Sequence, residues 1–144
     1  MEDFLTLENQ LCFAIYETAN EFIKLYTKVL KPYDMTYPQY LVLLALWEKD
    51  GITLKQLGQK LNLGTGTLTP MIKRMVDKGW LEKVRSEVDE RNVYIFLQEK
   101  AITQKKIITT QVANEIQLCN ISMEEYNELM KQLKTLQTKI NTRS

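Results

Sequence analysis

Histidine is missing from this chain altogether, and cysteine, proline and glycine number only two, three and five among 144 residues. Each shortage narrows the function. The lack of histidine, of any Cys-x-x-Cys pair and of a metal-ligating cluster argues against an enzyme such as a thiol peroxidase, so no catalytic residue, cofactor or metal is expected. So few glycines and prolines favour long helices over a turn-rich β fold. Long apolar runs are missing too. The longest, Leu41 to Trp47, is seven residues, against the roughly 20 a spanning helix needs. The acidic start, Met1-Glu2-Asp3, is unlike a secretory signal. These features point to a cytoplasmic protein with no membrane partner, a compartment where disulfides are transient and sensory rather than structural. Nor is there an excess of charge of one sign, the formal net being +1.

What is present suits one globular domain over residues 1–144, with 44% apolar and 26% charged residues. The charge is unevenly spread. Residues 53–91 carry eight bases (Lys55, Lys60, Lys73, Arg74, Lys78, Lys83, Arg85, Arg91) against five acids (Asp77, Glu82, Glu87, Asp89, Glu90), a net of +3 that leaves −2 for the remainder. The asymmetry is mild, and a solvated mixed surface has a similar composition.

Periodicity organises the chain. Leu11, Cys12, Ile15, Tyr16, Ala19, Phe22, Ile23, Tyr26 and Leu30 recur at helical spacing and predict a first helix from about Leu5 to Leu30. Thr36 with Gln39, and Thr53 with Gln56, read as capping boxes opening two more helices. The first of these, with Tyr40, Leu41, Leu43, Leu44 and Trp47, is apolar almost all round and belongs at the centre. After the turn at Asn62–Gly66 another helix is predicted from about Thr67 to Lys78, with Pro70 in its first turn. Its inward stripe is Leu68, Met71, Ile72 and Met75. Its outward face offers Thr65, Thr67, Thr69, Lys73 and Arg74. Short helix, turn and second helix make a helix-turn-helix.

Residues 80–84 and 93–97 read as two strands of a hairpin whose tip is Arg85 to Asn92, the wing of a winged helix, able to carry an arginine into a minor groove. Two helices follow, the last with Tyr126, Leu129, Leu133, Leu136 and Ile140 in heptad rhythm. The expected fold is mainly α with a small β wing, a winged helix-turn-helix over residues 36–98. The helices of residues 1–35 and 99–144 hold more apolar surface than the small winged part can cover, so a homodimer through these N- and C-terminal helices is expected.

Several strings resemble the MarR family of winged-helix regulators, and within it the OhrR-like, peroxide-sensing branch. They are Glu8-Asn9-Gln10-Leu11-Cys12-Phe13, Thr36-Tyr37-Pro38-Gln39-Tyr40, Gly66-Thr67-Leu68-Thr69-Pro70, Lys73-Arg74-Met75, Arg85-Ser86-Glu87 and Asp89-Glu90-Arg91. The resemblance covers essentially the whole chain. It implies that Cys12 is the redox-sensing thiol and that the hydroxyls of Tyr26 and Tyr37 reach it, with Tyr16 one turn beyond Cys12. It implies that Arg91 enters the minor groove with Asp89 as its supporting acid. Cys119 stands where two-cysteine members hold the resolving thiol, which bonds to the sensing cysteine of the other subunit. Gly64-Thr65 departs from the Asp-Ser common in relatives.

A sensing thiol reacts as thiolate and passes through a sulfenic acid. With no histidine to activate it, tyrosine O–H donors are the expected substitute. An apolar setting suits an organic hydroperoxide. The expected function is therefore a cytoplasmic regulator, a repressor on a palindromic operator in double-stranded DNA, that lets go when Cys12 is oxidised and closes on Cys119. Two alternatives remain open: control by a small aromatic ligand, and control of Cys12 alone through a mixed disulfide with a small thiol.

Overall fold

The computed structural model describes residues 2–143. Two 3₁₀ turns (Glu2–Leu5 and Leu7–Asn9) lead into α1 (Leu11–Leu30) and a third 3₁₀ turn, Lys31–Tyr33. Then come α2 (Tyr37–Glu48), β1 (Ile52–Thr53), α3 (Leu54–Leu61), α4 (Thr65–Asp77), β2 (Leu81–Arg85), β3 (Val93–Leu97), α5 (Glu99–Gln117) and α6 (Met123–Asn141). Residues 1–109 form one compact unit and residues 110–144 a second. No helix among the described residues is long and apolar enough to cross a membrane.

The first unit is built around α2. Thr36 caps it with both arms of the expected box, its Oγ1 accepting from the Gln39 N–H at 3.3 Å and Gln39 Oε1 accepting from the Thr36 N–H at 3.0 Å. A helix apolar almost all round must be covered on most sides, and Tyr40, Val42, Leu43, Ala45 and Leu46 are buried while Leu44 stays exposed. α1, α3, α4 and β3 all pack against it. Trp47 ties α2 to the start of α5, its Nε1 donating to the Ala101 carbonyl at 3.0 Å.

The helix-turn-helix forms as its sequence dictates. The Thr53–Gln56 box opens α3. Asn62 ends it in the left-handed region, φ 56°, a conformation asparagine tolerates well. Gly58 is needed for the turn, because a Cβ there would lie 2.8 Å from the Leu63 carbonyl oxygen. α3 and α4 pack together, and Leu57 and Leu68, one on each, are wholly buried, each contributing about 1.5–3 kcal/mol by its burial. Beyond α4 the sheet is antiparallel in the order β1-β3-β2, with Lys83 opposite Ile95 and Arg85 opposite Val93.

Four features differ from the sequence reading, the first being the wing strand, which runs Leu81–Arg85 and so takes in Arg85, expected in the tip. The first helix begins at Leu11, not near Leu5, because the chain is extended at Gln10 (φ −82°, ψ 121°) and only 3₁₀ turns precede it. The helix after the turn begins at Thr65 rather than Thr67, so Pro70 falls beyond its first turn. The two residues of β1, too few to show alternation, add a third strand to the hairpin.

In the second unit, Ser122 caps α6 by accepting from the Glu125 N–H at 3.1 Å. The heptad residues Tyr126, Leu129, Leu133 and Ile140 are exposed, Leu129 at 50%. The apolar residues Leu11, Ile15, Phe22 and Ile23 of α1 are exposed as well. Both terminal helices thus present uncovered apolar surface.

Candidate functional site

All five outward residues expected on α4 (Thr65, Thr67, Thr69, Lys73 and Arg74) are exposed, while Leu68, Met71, Ile72 and Met75 are buried. Lys73 is only 4.0 Å from Asp77, with both side chains more than half exposed, a pairing worth little in water. Lys78 is differently placed. Its Nζ reaches the Asp34 carboxylate at 3.1 Å and donates to the Asp34 carbonyl at 2.8 Å, fastening the end of α4 to the turn before α2.

The wing is tightly built for a surface loop. The backbone N–H groups of Val88 and Asp89 donate to the Ser86 Oγ, each at 3.2 Å. Asn92 N–H donates to the Asp89 carbonyl at 2.9 Å. The Asp89 carboxylate receives Arg91 Nε at 3.1 Å and Nη2 at 3.2 Å. The hydrogen bond from the Arg91 side chain, and then the one from its backbone N–H, hold the Asp89 carboxyl below its ordinary value. Arg91 itself stays 90% exposed at the tip.

Two basic residues not singled out from the sequence join this surface. Lys83 and Arg85 lie on β2 two positions apart and share one face of the strand. With Leu54, Thr69, Ile72 and Val93 they line a groove of about 350 Å³ between α3, α4 and the wing. Among the described residues, none that lines the groove carries a carboxylate. Arg85 Nη1 also donates to the Glu90 carbonyl, steadying the loop. The signal for both residues was present as strand alternation in a stretch of net positive charge. Arg85 belongs to the strand and not to the tip, which is what sets it beside Lys83.

The two thiols are free and exposed. Cys12 is the second residue of α1, in the turn of a helix where negative charge is stabilised. Its Sγ lies 3.9 Å from Gln10 Oε1, and the Gln10 amide in turn donates to the Phe4 carbonyl. Gln10, quoted above only as part of a string, thus links the thiol to the preceding 3₁₀ turns. Cys119 follows the last turn of α5, its Sγ 3.6 Å from the Glu115 carbonyl oxygen, at the helix end that stabilises positive charge.

Tyr16 shares the face of Cys12 one turn on and stacks on Phe13 at 6.4 Å between ring centroids. Tyr26 is elsewhere. It lies fourteen positions further along the helix than Cys12, about 21 Å along the axis. Its ring meets those of Tyr37 at 5.3 Å and Tyr40 at 5.7 Å, all edge to face. Within one chain, therefore, Tyr26 and Tyr37 come together with each other and not with the thiol. Tyr40 is buried beneath them, and that burial, with Tyr37 as a second cause, raises its phenol above the ordinary value.

Comparison with known proteins gives this arrangement a family. The profile of the transcriptional regulator SarA/Rot family matches residues 24–108. The organic hydroperoxide resistance transcriptional regulator of Bacillus subtilis (strain 168) is 42% identical over 134 residues, 93% of this chain and 91% of that protein. Among solved structures, reduced AbfR of Staphylococcus epidermidis bound to DNA superposes with a TM-score of 0.84 at 35% identity, covering 94% of this chain and 92% of AbfR. The disulfide form of AbfR superposes less well, at 0.70, with 35% identity and coverage of 94% and 90%. The chain belongs to the MarR/SarA family of winged-helix transcriptional regulators, on its OhrR-like branch.

Proposed function

We propose that this protein is a dimeric, non-enzymatic regulator that holds a palindromic operator when reduced and releases it when Cys12 is oxidised by an organic hydroperoxide. One observation carries the reading. The exposed thiol of Cys12 lies on the apolar surface of α1 that a single chain leaves uncovered. A second copy is the natural cover for that surface and for the heptad face of α6. The thiol then sits in the dimer interface, where a change of its oxidation state bears on the spacing of the two reading heads.

The same dimer resolves the tyrosines. Tyr26 and Tyr37 lie too far from Cys12 along their own chain to donate to it, so in this reading they serve the thiol of the partner subunit, while Tyr16 serves its own. The Cys12 thiolate attacks a peroxide oxygen, the O–O bond breaks, and the alkoxide leaves with a proton as alcohol. Cys12 is thereby oxidised to a sulfenic acid. Its sulfur is then attacked by Cys119 of the partner subunit, and water leaves as the disulfide forms. The solved disulfide form of AbfR supports such a step.

In the reduced dimer the two α4 helices enter successive major grooves about one turn apart. Thr65, Thr67 and Thr69 face bases or phosphates, and Lys73 and Arg74 the backbone. The groove of Lys83 and Arg85 takes phosphate, and Arg91, held by Asp89, enters the minor groove. The DNA-bound form of reduced AbfR supports this placement.

The test is anisotropy of reduced protein on a labelled fragment of its own promoter, titrated with cumene hydroperoxide. Release near one equivalent, reversed by dithiothreitol and absent in Cys12→Ser, is the expected result. Release retained in Cys119→Ser only when a small thiol is present would assign a mixed disulfide instead. Binding indifferent to peroxide but relieved by a small aromatic acid would transfer control to a ligand.

A further inference from the structure

Two residues of α4 run against the chemistry of a helix, and nothing inside the protein accounts for either. Gly66 is the second residue of the helix and is exposed. A Cβ built on it meets nothing within 4 Å, and its φ is not positive, the positive-φ glycines being Gly51 and Gly79. Neither space nor backbone conformation requires glycine there, in contrast to Gly58. Glycine is nevertheless among the poorest helix formers.

Pro70 is the sixth residue of the same helix and is also exposed, so its ring fills no core. In the first turn its missing N–H would cost nothing, but the helix starts at Thr65 and Pro70 lies beyond that turn. The N–H it lacks is the one that would have reached the carbonyl of Gly66, four residues back. The two positions are coupled: they stand one turn apart on the same face, one with no side chain and the other with no N–H. Both lie on the outward surface with Thr69 and Lys73, beside the basic groove.

We infer that Gly66 and Pro70 set the sequence preference of the reading head. The bare first turn of α4 seats its backbone against base edges in the major groove. There the side-chain-free Gly66 lets the helix come close to the bases, and the exposed Pro70 ring makes apolar contact with a thymine methyl. The inference rests on the DNA-binding reading above and adds an apolar base contact to it.

Reduced wild-type protein, Gly66→Ala, Pro70→Ala and Arg91→Ala would be compared by anisotropy on the promoter fragment and on a shuffled duplex of equal length. Salt would be fixed, and each protein would also be melted. Both helix substitutions favour the helix, so they should raise Tm by about 2 °C or more. Each should lower promoter affinity by about tenfold, the size of one base contact, with affinity for the shuffled duplex unchanged. A higher Tm with promoter affinity kept within twofold, or an equal loss on both duplexes, overturns the inference. A promoter preference lost in Arg91→Ala but kept in Gly66→Ala and Pro70→Ala removes the inference alone. A wild type with no preference for its promoter removes the DNA reading and the inference together.

Discussion

The Asp89 carboxylate grips the Arg91 guanidinium at two points, Oδ1 3.1 Å from Nε and Oδ2 3.2 Å from Nη2, and takes the Arg91 backbone N–H at 3.1 Å as well. A free arginine loses rotamer entropy when it enters a groove, about 0.5–1.5 kcal/mol for an ordered long side chain. The carboxylate imposes part of that order before DNA arrives. Asp89→Ala removes a negative charge from a DNA-facing loop, and charge alone would raise affinity. We expect the opposite, a loss of about three- to tenfold on the promoter fragment, measured by anisotropy in reducing buffer. Affinity equal to or above wild type would show that the fork does not prepare Arg91.

The capping of α4 offers a second prediction. Gly64 is its N-cap with φ −71° and ψ 155° and makes no side-chain cap. That backbone suits any residue, and a Cβ there meets nothing within 4 Å. Gly64→Ser supplies the missing acceptor and reduces the freedom of the unfolded chain. It should therefore stabilise the protein by about 0.5–1 kcal/mol, read as a higher urea midpoint with unchanged m-value. A lower midpoint would mean that the N-terminus of α4 is strained against its cap.

The legible parts of this molecule were those where chemistry is local. Thr36–Gln39 and Thr53–Gln56 announce their helix starts through residues three apart, and both boxes form. The buried stripe of α4 follows from a single period. The missed boundaries depended on what no window shows. Leu5 and Leu7 continue the apolar character of α1, yet the chain turns extended at Gln10. β1 exists because Ile52 and Thr53 pair with Ile95 and Tyr94, more than forty residues away. The candidate site divided in the same way. The outward residues of α4 were readable from helical phase. The basic groove required the β2 register, whereas the separation of Cys12 from Tyr26 already followed from one continuous helix carrying both.

Tyr40 makes a prediction about alkaline pH. Burial first, and Tyr37 second, raise its phenol above the ordinary value of 10.0. A group whose folded pKa is raised contributes stability that is complete below its unfolded pKa and is lost as pH rises through the folded one. The wild type should therefore lose stability above about pH 10 more steeply than Tyr40→Phe, which has no proton to lose. Urea midpoints of the two proteins at pH 8 and pH 10.5 check this. Equal falls would show that the Tyr40 hydroxyl ionises in the folded state without penalty.

The uncovered stripe of α6 carries the last prediction. Tyr126, Leu129, Leu133 and Ile140 lie on one heptad face and are 40–50% exposed. Apolar area buried by a second copy contributes about 25 cal/mol per Å², whereas a carboxylate placed in such an interface must be desolvated without a partner. Leu133→Glu should leave the fold of the single chain intact, because Leu133 belongs to no core. It should turn a dimer into a monomer in sedimentation equilibrium. Operator affinity should then fall by at least a hundredfold, since one reading head loses the cooperation of the other, while far-UV circular dichroism stays unchanged. A Leu133→Glu protein that remains dimeric would move the interface off α6. A monomer that still binds the promoter fully would show that the operator is read by single chains.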